Sequence, residues 1–261
     1  MQLPKTKKIV TNQEGFLWEY GASQTIGKRQ EQQDCFLIRE LPECSGLIAV
    51  VADGMGGLDS GAGASDLVVN RMAAELEKQL KADWTATQIS KLLLQITEKT
   101  GKELVAWCKK QRITAGSTLA LVLVYRKELF FCAVGDSRIY LYRNDEKIRI
   151  NEDHSLKNYL LRCKLRREEV PELYGSIYSY LGQDPIAEID FSRKGMPLSP
   201  GDALLLCSDG VYQALPEEEL PVTLSGKQMQ NQADELIKKV LEKNMEQQDN
   251  ATLLMLRCSE N

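Results

Sequence analysis

A chain of 261 residues with 43% hydrophobic and 27% charged residues has the composition of an ordinary globular protein, which excludes a disordered chain. Its formal net charge of −4 at pH 7 is spread over mixed signs, leaving no basic stripe for nucleic acid and no polybasic membrane patch, and no apolar run reaches the ~20 residues that span a bilayer. Seven scattered cysteines without a C-x-x-C pair, beside a single histidine, read as reduced structural thiols of a cytoplasmic protein and not as a zinc site.

In chain order, the aromatic stretch 16–22 reads as a strand that Gly27 interrupts, and a second strand begins at Asp34. The loop between them carries Arg29, Glu31 and Asp34. Residues 47–52 are an unbroken apolar run, the pattern of a strand buried on both faces, and the run stops abruptly on Asp53. An isolated carboxylate buried there would cost several kcal/mol unless a cation or a set of donors compensated it. Gly54, Gly56 and Gly57 follow, allowing positive φ and leaving the backbone bare enough for a carbonyl to reach an ion.

Ser65-Asp66 is placed to cap a helix with Val69, Met72, Ala73, Leu76 and Leu80 on one face. A second helix opens near Thr87 with Ile89, Leu92, Leu93 and Ile96, and its pattern resumes after Gly101 at Leu104, Val105 and Cys108. From residue 117 the period changes to that of strands: 117–125, 129–134, 139–142 and 147–150, with turns at 126–127 and 144–145. The charged, irregular segment 155–180, broken by Pro171 and Gly175, reads as a flap-like excursion. Strands near 186–191 and at 203–207, a helix with Met229, Ala233, Leu236, Ile237 and Val240 on one face, and a closing strand 251–256 complete the chain. Strands, two helices, many strands, one helix and one strand form an α+β order, accommodated by two antiparallel sheets with helices outside. No linker or repeat divides the sequence, so residues 1–261 read as one domain.

The abrupt aspartate recurs. The run 203–207 delivers Asp209-Gly210, the run 130–134 delivers Gly135-Asp136, and Asp249 stands just before the apolar run 253–256. Four strand-edge aspartates drawn from distant parts of the chain suggest a site for a hard metal ion.

Taken in order, Arg29 with Gln33-Asp34, DGMGG at 53–57, AGST at 115–118, GDSR at 135–138, DHS at 153–155, SDG at 208–210 and DNAT at 249–252 resemble the metal-dependent serine/threonine phosphatases of type 2C, in their short bacterial form. The resemblance implies a β-sandwich of two mostly antiparallel sheets flanked by helices on both sides, with two to three manganese or magnesium ions at one end. Carried over by position, Asp53 would bridge two ions with the Gly54 carbonyl on one of them, and Asp209 and Asp249 would complete the other. Asp34 would hold metal-bound water, Asp136 would serve a weaker third ion, and Arg29 would grip the substrate phosphate. The implied activity is hydrolysis of phosphoserine and phosphothreonine in proteins, opposing a bacterial serine/threonine kinase, by a monomer.

That chemistry agrees with the residues. Hard oxygen ligands suit manganese or magnesium, a pair of ions can clamp both the attacking and the leaving oxygen, and a planar guanidinium matches two phosphate oxygens. Three positions depart from the family pattern: Gln32 replaces Asn, Leu58 replaces His, and Met55 stands where eukaryotic members place a His proposed as general acid. Leaving-group protonation is therefore unassigned, and His154 is either catalytic or part of a structural turn. A catalytically silent phosphoprotein-binding scaffold is the alternative from another class, set against a complete aspartate set. A calcium-binding module is disfavoured because the aspartates are dispersed and not gathered in one loop.

Overall fold

The computed structural model describes residues 8–11, 16–44, 46–57, 60–164, 176–224 and 226–260, and its layering follows from the strands that are apolar on both faces. In β4 (Gly46–Gly56), Leu47, Ala49 and Val51 join one buried cluster while Ile48, Val50 and Ala52 join another. Successive side chains of a strand point to opposite faces, so a strand covered on both sides shows an unbroken apolar run. β4 lies between β3 (Asp34–Leu41) and β6 (Leu119–Tyr125), and the sheet continues through β7 (Glu128–Val134) to β10 (Asp190–Phe191). β5 (Ala115–Ser117) pairs with the end of β4, and β11 (Met196–Pro197) with β7.

A second sheet runs in the order β1 (Lys8–Thr11), β2 (Phe16–Thr25), β13 (Ala251–Glu260), β12 (Ala203–Cys207), β8 (Arg138–Arg143) and β9 (Glu146–Arg149). Pairings between these strands are antiparallel in both sheets. Leu47, Val51, Val122, Phe131, Ile139, Leu204, Leu206 and Leu254 fill the space between the sheets. On the outer face of the first sheet pack α1 (Ser60–Gln79) and α2 (Ala86–Gln111), and on the outer face of the second pack α4 (Asp209–Ala214) and α5 (Met229–Glu242). With α3 (Leu156–Arg162), the result is the helix-flanked sandwich of two antiparallel sheets expected from the sequence.

Several boundaries differ for identifiable reasons. α1 starts at Ser60, and Ser65 does not cap it: the buried Ser65 hydroxyl donates to the Gln33 carbonyl at 2.6 Å, tying the helix to the loop that carries Arg29. α2 is capped two residues before Thr87 by Thr85, in a reciprocal box with Gln88. It runs unbroken through Gly101, where a Cβ would stand 2.8 Å from Ile186, so the glycine provides room for packing and does not end the helix. Only Asp190–Phe191 of the 186–191 segment pairs as a strand. The 155–180 excursion opens with α3 and closes on residues 176–180, while 165–175 lie outside the described residues.

Candidate active site

The five aspartates sit where apolar strands run out at one end of the sandwich. Asp34 begins β3 and stands directly across from Asp53 in the β3–β4 ladder. Two carboxylates facing each other across a ladder repel, so the pairing itself calls for a proton or a cation between them. Asp209 opens α4 immediately after β12, Asp249 precedes β13, and Asp136 lies in the turn from β7 to β8. The Asp209 carboxylate is close enough for its charge to bear on Asp53.

Backbone packing fixes this geometry. Gly54 and Gly57 are not in the left-handed region; Gly54 is required because a Cβ would lie 2.0 Å from the Gly61 carbonyl oxygen, and Gly210 because one would lie 2.0 Å from that of Asn250. At Gly135 the demand is conformational, with φ at +93° in the tight turn before Asp136. Thr118 knots two motifs together: its hydroxyl accepts from the Asp53 N–H at 2.8 Å and lies 2.7 Å from the Ser137 hydroxyl. The Asn250 side chain accepts from Gln33 N–H and donates to the carbonyls of Ile26 and Glu31, stapling down the Arg29 loop. Gln32, the departure from Asn, accepts from Asp34 N–H and donates to the Thr25 carbonyl, each at 3.3 Å, so the exchange alters a loop contact.

Crowded burial leaves four of the carboxyls, those of Asp34, Asp53, Asp136 and Asp209, reluctant to ionise. Burial, then the charges of Asp34, Asp209, Asp136 and Asp249, holds Asp53 well above the usual carboxylate range. Burial also pushes Asp34 up to about 6 against the Ser208 hydroxyl that donates to it at 2.7 Å, and Asp136 up to about 6 against Tyr212. Asp209 is pushed up to about 8 by burial, with Asp136, Asp249 and Asp34 adding to it. The Oδ1 atoms of Asp34, Asp136 and Asp209 are buried without a hydrogen-bond partner. Among the described residues no three acidic, histidine or cysteine side chains form a ready-made ligand cluster. Neighbouring buried carboxylates with orphaned oxygens nonetheless fit divalent cations, which would neutralise their repulsion and satisfy those atoms.

A pH dependence of stability follows. These carboxyls have folded pKa values above the unfolded ~4, so between the two the folded state binds more protons, and stability falls as pH rises through the folded values. In chelator, the melting temperature is expected to decline between pH ~4.5 and about 8, relative to manganese-loaded protein, over the interval set by groups raised to about 6 and about 8. Parallel pH curves for the two forms in a thermal-melt series would show that carboxylate crowding does not govern it.

Arg29 stands at the rim, its side chain 57% exposed and its Nη2 2.5 Å from Asp249 Oδ2. An ion pair this exposed contributes at most ~1 kcal/mol, so the guanidinium can exchange Asp249 for an incoming anion. Lys28, Gln30, Glu31, Gln33 and Gly56 line an open cleft of about 300 Å³ around it. His154 lies fully buried, its Nδ1 accepting from Gly135 N–H at 3.1 Å while its backbone holds Gly135 and Tyr178. It supports the Asp136 turn from behind. Thr118, Ser208 and Asn250 fall within the quoted motifs, yet their roles emerge only from the structure. Nothing in the sequence marks Tyr212.

The Protein phosphatase 2C family profile matches residues 22–248. The serine/threonine phosphatase stp of Listeria innocua is 33% identical over 215 residues, covering 80% of this chain and 83% of that protein. A serine/threonine phosphatase structure from S. agalactiae superposes with a TM-score of 0.81 at 24% identity, covering 92% of this chain and 99% of that one. The catalytic domain of the serine threonine protein phosphatase PstP, solved with two manganese ions, superposes with a TM-score of 0.74 at 22% identity over 94% of this chain and all of that one. Ordered motifs, sandwich and profile agree: the chain belongs to the protein phosphatase 2C family and is a serine/threonine protein phosphatase.

Proposed function

We propose that the chain hydrolyses phosphoserine and phosphothreonine in proteins at the aspartate end of the sandwich, with residues 1–261 acting as one monomeric catalytic unit that opposes a serine/threonine kinase. The carrying observation is the set of orphaned, buried carboxylate oxygens beside an exposed guanidinium. Asp53 and the Gly54 carbonyl would hold one manganese or magnesium ion, Asp53 with Asp209 and Asp249 a second, and Asp136 a third. Bound divalent ions supply Lewis acidity and lower the pKa of water toward neutrality.

The protein's own groups do the rest. Arg29 leaves Asp249, takes two oxygens of the substrate phosphate in its fork, and aligns phosphorus for in-line attack. Asp34 is held at Oδ2 by Ser208, and its free Oδ1 accepts a proton of the attacking water. The new P–O bond forms as the ester P–O bond breaks, and the seryl or threonyl oxygen leaves with a proton drawn from solvent. The cleft beside Arg29 is open, as a phosphorylated segment of a protein requires. The kinase it opposes would be revealed by phosphosites that accumulate in cells lacking the protein.

Arg29→Ala tests the site. Loss of a charge-assisted contact to an anion costs roughly 1.5–3 kcal/mol, so kcat/KM is expected to fall about ten- to a hundredfold. Manganese affinity should hold or rise, because Asp249 loses its competing cation. An unchanged kcat/KM on a phosphothreonine peptide would remove Arg29 from substrate binding.

A further inference from the structure

The roles given above use neither Tyr212 nor the network behind it. Tyr212 lies on α4, three residues past Asp209, and its hydroxyl stands 3.0 Å from Oδ2 of Asp136 and 3.1 Å from the Asp136 carbonyl oxygen. A phenol has one proton, and an ionised carboxylate is the stronger acceptor, so the hydroxyl donates to Oδ2. Oδ1 of the same carboxylate is buried and has no partner. The Tyr212 ring is itself fixed, for the Arg138 guanidinium stacks on it with Cζ 3.6 Å from the ring centroid. Arg138 is clamped in turn by Asp153, through contacts of 2.7 to 3.2 Å, and Arg149 reaches the same carboxylate at 3.2 Å. Asp153 is only 8% exposed at its side chain, so this anchor is shielded from solvent.

We propose that Tyr212 is a positioning residue for Asp136: by holding Oδ2 against the Arg138–Asp153 anchor, it turns Oδ1 toward the other aspartates and so sets the affinity of the ion that Asp136 serves. The inference rests on the reading of Asp136 as a ligand. An aspartate's terminal torsion is otherwise broad and close to two-fold, so an unheld carboxylate spends part of its time misdirected and loses affinity. The donor also withdraws some charge from the carboxylate, which works the other way. Orientation wins in general, since removing a hydrogen-bond partner of a ligating group costs about 10–100-fold in metal affinity or activity. Tyr212 also joins two of the aspartates mechanically, because the short helix that Asp209 opens is the one that holds Asp136.

Tyr212→Phe removes the hydroxyl and keeps the ring on which Arg138 stacks. The test is manganese titration calorimetry without substrate on the wild type, Tyr212→Phe, Asp136→Ala and the double variant, with melting temperatures recorded beside it. Tyr212→Phe is expected to weaken the weakest manganese-binding step about tenfold and spare the tighter ones. It should have no further effect once Asp136 is alanine. Turnover at limiting manganese should fall in Tyr212→Phe and recover as manganese is raised. Arg138→Lys, which keeps the charge but loses the planar stack and the fork on Asp153, should shift the same step if Tyr212→Phe does not fold. If Tyr212→Phe binds every ion as the wild type does while Asp136→Ala loses the weak step, the positioning role is wrong and the ligand reading stands. If Asp136→Ala leaves the weak step intact, or the wild type has none, the ligand reading fails and the inference with it. A Tyr212→Phe effect that persists in the Asp136→Ala background also overturns the proposal, since Tyr212 would then act elsewhere.

Discussion

Chelation is expected to lower hydrolysis of p-nitrophenyl phosphate and of phosphothreonine peptides by more than about a hundredfold, because bound ions supply several kcal/mol of transition-state stabilisation and each ~1.4 kcal/mol is a factor of ten. Added manganese should restore it. The size of the effect follows from what the site contains: crowded carboxyls and one exposed guanidinium. Burial pushes the thiols of Cys132 and Cys207 up to about 12, so neither is a thiolate ready to attack phosphorus. The His154 imidazole is turned to the backbone of Gly135. Full activity after exhaustive metal removal would refute metal-dependent hydrolysis at this centre, and a trapped phosphorylated side chain would refute direct attack by water.

The sandwich was legible because burial on both faces writes itself as runs such as 47–52 and 203–207, and because amphipathic helices such as α5 keep a clean apolar stripe. The aspartates were legible because a charge ending such a run violates local hydrophobic logic. What escaped was set by contacts remote in sequence. Ser65 looks like a helix cap but bonds Gln33, and Gly101 looks like a break but makes room for Ile186. Gly54 reads as a turn glycine, yet the reason for it is the carbonyl of Gly61, invisible until α1 folds against β4. α4 is too short, at six residues, to show a period, and so Tyr212 went unmarked beside Asp209.

Asp209 and Asp136 both follow apolar strands, yet their variants should differ in kind. Asp209 is pushed up to about 8 by burial and the charges of Asp136, Asp249 and Asp34, and its own charge raises Asp53, which places it among the most crowded of the carboxylates. Asp209→Asn removes a carboxylate charge from that cluster; if Asp209 ligates the ions as proposed, then, since even partners one layer out cost about 10–100-fold, tight manganese affinity should drop by at least about a hundredfold with turnover collapsing beside it. The change should also relieve repulsion, so the metal-free variant is expected to melt higher than the metal-free wild type near neutral pH, where the crowded carboxyls lose their protons. Asp136 lies in the β7–β8 turn, tethered by Tyr212, and Asp136→Ala should keep two tight manganese ions and the fold while lowering turnover. Calorimetric titration beside a rate assay reads both quantities for each variant. If Asp136→Ala abolishes the tight steps while Asp209→Asn spares them, the two aspartates have exchanged roles, and the centre must be built around the β7–β8 turn instead of the end of β12.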